Sequence, residues 1–193
     1  MSSQIALFPL HTVLFPGGPL RLRVFEARYV DMVRRCMREQ SPFGVTLIRI
    51  GREVGEVTEV AQTGTSARIV DFDTLPDGLL GLSCIGERRF RILRRWRQSD
   101  GLNLAEIDWL PEEPAVALPE QYAHLKDVLD ALLARLGDLY DGIPRRFEDA
   151  GWVACRLAEI LPLPLPEKQL LLEVDDPVDR LARLSALVRQ PQA

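Results

Sequence analysis

Phe43–Ile50 reads F-G-V-T-L-I-R-I, and from Val54 to Trp109 short β-favouring runs follow one another with turn chemistry at Gly64, Asp77-Gly78, Gly86 and Asp100-Gly101. No helical period longer than two turns interrupts this stretch. Several strands at that spacing, joined by tight turns, predict an antiparallel sheet that closes or nearly closes on itself and so protects its edges.

Upstream, Ile5–Leu10 is apolar, and in Leu20–Phe25 the pair Leu20 and Leu22 alternates with Arg21 and Arg23, the pattern of strands with one buried face. Phe15-Pro16-Gly17-Gly18-Pro19 reverses the chain between them. Ala27–Gln40 carries Tyr29, Val30, Val33, Cys36 and Met37 at helical spacing, and Ser41-Pro42 ends the pattern. One amphipathic helix therefore packs on the sheet.

Downstream, Pro111–Pro119 is proline-rich and marks a boundary. Beyond it, Leu125, Val128, Leu129, Leu132, Leu133, Leu136 and Leu139 make a 3.6-residue stripe ended by Gly142 and Pro144. A second helix is predicted from Phe147 to Leu161, then an extended Pro162–Pro166 connector, then helices over Glu167–Glu173 and Asp176–Arg189. The Leu stripe reads as bundle core and the prolines as a spacer. The fold class expected is α+β.

The chain has 193 residues, 47% hydrophobic and 27% charged, which places it among ordinary folded proteins rather than disordered or fibrous ones. Its net charge of −4 is unevenly spread: residues 1–99 carry 15 basic and 10 acidic side chains, the remainder 9 and 18. The longest uncharged stretch, Met1–Leu20, is broken by prolines and glycines, so it reads neither as a membrane span nor as a secretory signal, and a cytoplasmic location is expected. Cys36, Cys84 and Cys155 have no Cys-x-x-Cys spacing and read as small core residues.

No phosphate-loop motif, Ser-x-x-Lys or Gly-x-Ser-x-Gly is present, and His11 and His124 are the only histidines. The expectation is a protein without catalytic residues, cofactor or metal; a Cys84–His pair is the one nucleophile left open. Arg88, Arg89, Arg91, Arg94, Arg95 and Arg97 interleave with Phe90, Ile92 and Trp96. Alternation places Phe90 and Ile92 on one face and Arg89 and Arg91 on the other, as in any half-exposed strand. A strand so basic could also follow a phosphate backbone, which makes nucleic-acid binding the alternative function.

The order of motifs resembles the Lon substrate-binding domain, the amino-terminal domain of the ATP-dependent Lon proteases. The matching residues are Phe8-Pro9-Leu10, Phe15-Pro16-Gly17, Phe25-Glu26-x-Arg28-Tyr29, Phe43-Gly44-Val45, Gly64-Thr65, Gly86, Arg89-Phe90-Arg91-Ile92, Ala105-Glu106, Glu167-Lys168-Gln169 with Leu171, Leu172 and Glu173, and Arg180-Leu181. Thr63 stands where Val is common in the family, and Leu102 and Leu104 stand where a Tyr would precede Ala105-Glu106.

The resemblance implies a PUA-like β pseudobarrel over residues 1–110 with one packed helix, a Pro-rich linker over 111–118 and a helical bundle over 119–193. It also implies a free-standing, non-catalytic recognition module, without ATPase or peptidase, that binds exposed apolar or extended segments of unfolded or flexible polypeptides; whether it works with a protease system or alone is left open. Phe15, Pro16, Phe25, Glu26, Arg28 and Tyr29 are the residues expected to border a groove between barrel and bundle; the competing reading is that Glu26 and Arg28 lock the helix onto the sheet. Self-association through the bundle is left open, and no membrane partner is expected.

Overall fold

The computed structural model describes residues 3–53 and 57–189. Contacts divide the chain into two units, Met1–Pro111 and Glu112–Ala193.

The first unit holds β1 (Ser3–Leu10), β2 (Pro19–Val24), α1 (Ala27–Glu39), β3 (Phe43–Gly51), β4 (Val57–Val60), β5 (Thr63–Thr74), β6 (Leu80–Arg97) and β7 (Asn103–Trp109). Antiparallel pairing runs β1–β7–β6–β5–β3, and β3 returns to β1, with Leu7 opposite Gly44 and Leu10 opposite Leu47. The path of strands therefore closes on itself. The closing pair is parallel, which corrects the all-antiparallel expectation: the connection from β1 to β3 contains β2 and α1, long enough for a parallel crossover. β2 pairs with the first part of β6, and β4 with the end of β3.

Closure depends on one aromatic ring. A Cβ on Gly44 would stand 2.7 Å from Phe90 Cζ and 2.9 Å from Leu7 Cδ2, and one on Gly64 would stand 2.5 Å from the Val45 carbonyl and 2.7 Å from Phe90 Cζ. Phe90 is fully buried and packs with Ile5, Leu7, Ile92, Ala105 and Ile107. The two glycines let β3 and β5 come close enough to enclose it.

A second cluster lies between the sheet and α1, where Tyr29, Met32, Val33 and Cys36 are buried with Phe8, Phe43, Leu82 and Cys84. Phe8 and Tyr29 stack at 4.0 Å between centroids. Met37, predicted on this face, is 40% exposed. Met32 takes the inward place because 29, 32, 33 and 36 share one stripe and 37 lies one step round the helix. Thr63, Leu102 and Leu104, the departures from the family pattern, are all buried.

The second unit begins with a segment that is held down along its length: the Leu118 amide donates to the Glu148 carbonyl at 2.8 Å, and Ala150 to Val116 at 2.8 Å. These bonds pin residues expected to form a linker. A 3-10 turn at Glu120–Tyr122 leads into α2 (Ala123–Leu136), and a second at Gly137–Tyr140 follows it. Then come α3 (Ala150–Ile160), α4 (Leu165–Glu173) and α5 (Pro177–Arg189). Leu125, Leu129 and Leu133 form the buried part of the α2 stripe, whereas Leu136 is 41% exposed.

α3 starts three residues later than predicted because the Asp149 carboxylate caps it, accepting from Gly151 at 2.9 Å and Trp152 at 3.3 Å. It packs against α2, α4 and α5 and is buried from Ala150 to Ala158 except at Trp152, which is half-buried. The predicted 162–166 connector is shorter than expected. α4 already begins at Leu165, with Pro166 in its first turn, where a missing N–H is harmless.

Arg180 on α5 ties this unit together. Its fully buried guanidinium meets both oxygens of Glu113, at 2.5 and 2.9 Å, and also donates to the carbonyls of Leu171 and Val174. One side chain thus joins α5, the end of α4 and the start of the unit. A second polar cluster surrounds Glu159: Arg156 at 3.1 Å, the Tyr140 hydroxyl donating at 3.1 Å, and Lys168 donating to the Glu159 carbonyl at 2.6 Å. Burial pushes the Glu159 carboxyl up to about 6, against the opposing pull of Arg156, Tyr140 and Lys168.

Three outcomes follow for chemical denaturation. Gly64→Ala lowers stability by about 3 kcal/mol, because the obstacle is backbone and cannot swing away. Arg180→Met costs about 3 kcal/mol by leaving the Glu113 carboxylate without its partner, and the double variant Arg180→Met/Glu113→Gln recovers part of the loss. Glu159 binds its proton more tightly when folded than when unfolded. Its contribution is full below pH 4.5 and is lost as pH rises through about 6, a change of about 2 kcal/mol; in Glu159→Gln that component of the pH dependence disappears.

Candidate functional site

The strand-to-helix junction after β2 resolves into an inward and an outward part. Arg28 donates to the Gly101 carbonyl at 2.8 Å, pairs with Glu26 at 2.9 Å and lies 4.6 Å from the Tyr29 ring centroid. Tyr29 is 2% exposed, and burial raises the pKa of its hydroxyl, with Arg28 pulling the other way. These contacts fasten the start of α1 to the β6–β7 turn. Phe15 is fully buried too, and its turn is docked by Gly17 N–H on the Gly86 carbonyl at 2.7 Å and Gly86 N–H on the Gly18 carbonyl at 2.9 Å.

Phe15, Arg28 and Tyr29, among the residues expected to border a groove, are buried, and the Glu26–Arg28 pair makes the contacts of the competing, helix-locking reading. Pro16 and Glu26 are half-buried, and Phe25 is 55% exposed.

The Arg-rich strand does not present one basic face. Arg89 is buried, contrary to the expected alternation, and a register shift between Ile92 and Arg94 leaves Leu93 exposed. Arg88 lies 5.1 Å from the Trp109 ring, Arg94 lies 5.9 Å from the Trp96 ring, and Arg95 donates to Asn103 at 3.3 Å. Asp108 stands opposite Arg91 and Glu106 opposite Arg94 across the β6–β7 ladder. Acidic cross-strand neighbours cancel much of the field that a phosphate backbone would need.

A feature missed in the sequence lies where β2, β6 and β5 run side by side. Arg21, Ser83 and Asp71 form one row across the sheet, and Arg23, Gly81 and Asp73 the next. They line an open trough of about 820 Å³. On the opposite face Leu22, Leu82 and Phe72 form a row whose last member is 55% exposed. The signal in the sequence is V-D-F-D-T over Val70–Thr74, an apolar–acidic alternation. In the second unit, Lys126 and Arg145 border a smaller hollow of about 540 Å³, and each is engaged, by Glu148 at 2.9 Å and Asp130 at 3.0 Å.

The candidate nucleophile is quiet. Cys84 is buried beside Cys36, and burial followed by that neighbour pushes its thiol up to about 12, so it stays protonated. Neither histidine enters that balance: His11 is exposed, with its backbone N–H on Glu53 at 2.6 Å, and His124 Nε2 lies 3.4 Å from Ser185 Oγ. Burial raises the pKa of Cys36 and Cys155 as well. Among the described residues, no cluster of His, Cys, Asp and Glu is arranged for a metal ion, and no helix is long and apolar enough to cross a membrane.

Comparison with known proteins gives this arrangement a lineage. Residues 4–190 match the ATP-dependent protease La (LON) substrate-binding domain. The Lon N-terminal domain protein from Xanthomonas campestris is 40% identical, with a TM-score of 0.80 over 98% of this chain and 99% of that one. Lon proteases from Paraburkholderia phytofirmans and Phenylobacterium zucineum are 30% and 27% identical over 93% and 96% of this chain. The chain spans about a quarter of the length of these curated relatives, 23% and 24% respectively. The sheet with its helices is the Lon N-terminal fold, and the chain belongs to the Lon substrate-binding domain family.

Proposed function

We propose that this protein is a non-catalytic module that holds exposed apolar or extended segments of other polypeptides. The observation that carries this reading is the family match across residues 4–190. The closed path of strands with α1 across it supports a PUA-like reading of the first unit. Phe25 supplies the exposed apolar contact, with Pro16 and Glu26 as its half-buried companions from the residues singled out in the sequence. Arg28 and Tyr29 hold that contact in place.

Unfolded chains expose apolar side chains and unpaired backbone groups, so their receptor needs surface and hydrogen-bonding edges rather than reactive groups. Ordering a flexible ligand offsets much of the burial, which sets the affinity on the order of micromolar, about −8 kcal/mol. Release is then easy, as handing a segment to a protease system in the cytoplasm requires.

The test is a titration with a fluorescently labelled, permanently unfolded polypeptide at two salt concentrations. Saturable binding at tens of micromolar or tighter, little changed by salt, is expected, and Phe25→Ser weakens it several-fold while leaving the denaturation midpoint unchanged. Absence of saturable binding, or tighter binding to RNA with a steep salt dependence, overturns the reading.

A further inference from the structure

We infer that the outer edge of β5, residues 68–74, takes an extended polypeptide segment as an added strand, one whose residues alternate between apolar and basic. This deepens the function proposed above and rests on it.

The edge is open among the described residues. β5 pairs with β3 through Thr65, Ser66 and Ala67, and beyond Ala67 its pairing is with β6 alone, as far as Thr74 opposite Leu80. A strand edge presents alternating donors and acceptors, and an extended polypeptide is the ligand that matches them in spacing and kind. The Phe72 N–H shows the direction. It donates to the Asp71 carboxylate at 2.8 Å rather than to β6, so a side chain holds a backbone donor that an incoming strand would use.

Side chains along the edge specify the ligand. Phe72 ends the apolar row Leu22–Leu82–Phe72, so the residue beside it on an added strand meets an exposed ring. Asp71 and Asp73 end the two rows on the other face. Of the nearby cations, Arg23 pairs with Asp77 and Arg68 with Glu87 at 2.6 Å, while Arg21 stands at the far end of the Asp71 row, two strands away. Two carboxylates flanking an aromatic ring therefore favour a strand carrying Lys or Arg on either side of an apolar residue. A ligand cation that pairs with Asp71 also draws it from the Phe72 N–H and frees that donor.

A second copy of this chain fits poorly. Antiparallel self-pairing centred on Phe72 would set Asp71 against Asp73 twice, and like charges directly opposite are unfavourable. The edge is also close to the contact already proposed. Val24, the residue before Phe25, shares the Leu80 row with Thr74, two strands apart or about 10 Å.

The experiment uses the whole protein and a labelled peptide of alternating Val and Lys, its Val/Glu counterpart, and a Val/Lys version N-methylated at alternate amides. Val/Lys is expected to bind about tenfold more tightly than either of the others and to slow hydrogen exchange at the Phe72 and Thr74 amides. Phe72→Pro, which removes an N–H that β6 does not use, abolishes the advantage. Asp71→Lys/Asp73→Lys, which leaves the ladder intact, transfers the preference to Val/Glu. If unfolded polypeptide binds with exchange slowed elsewhere and β5 unchanged, the inference fails and the proposed function stands. If no polypeptide binds, the proposed function fails as well. Sedimentation showing a dimer that Phe72→Pro dissolves would give the edge to a second copy and overturn the inference.

Discussion

The first unit depends on the enclosure of Phe90. Its ring occupies the space where β3 and β5 approach, and that space exists because residues 44 and 64 carry no Cβ. Any side chain at either place would push against a neighbouring backbone or the ring itself, and interiors packed at crystal density have no slack to absorb it. With Phe90 enclosed, β3 sits close enough to bond to β5 on one side and to β1 on the other. The parallel β1–β3 seam then removes two strand edges that would otherwise face water.

The family's motifs read differently in this light. Gly44, Gly64 and Phe90 form one contact; Phe15, Gly17 and Gly86 form another; Glu26, Arg28 and Tyr29, with Phe8, form a third. In the second unit Arg180 unites the motif residues Leu171 and Arg180 through a carbonyl bond. These are contacts that fold the chain. The residues proposed to touch a ligand lie beside them: Phe25 follows β2 just before α1, and Phe72 and its flanking aspartates sit on the part of β5 that runs past β3. A rigid scaffold with a few exposed apolar side chains and an unpaired edge suits a receptor for segments that have no structure of their own, because the ordering cost then falls on the ligand alone.

Elements with a strong local signal were legible in the residues. β2 alternates cleanly, α1 ends at Gln40 in the left-handed region, and Leu125, Leu129 and Leu133 of the α2 stripe point inward. Arg89 was misread because alternation along a strand assigns a face but says nothing of what covers that face. The same limit hid the burial of Arg180, whose charge suggests water and whose carboxylate partner, Glu113, lies 67 residues away in the chain. The open β5 edge escaped notice because an edge is defined by the absence of a neighbouring strand, which no single segment reveals.

The sequence by itself determined the sheet followed by helices, the amphipathic faces and the family, since each rests on periodicity, turn residues or motif order read within a short span. Only the tertiary structure decided the parallel closure, the burial of Arg89 and Arg180, and the stretch of backbone left unpaired. Each of these depends on which distant segments meet, and local propensity does not encode that.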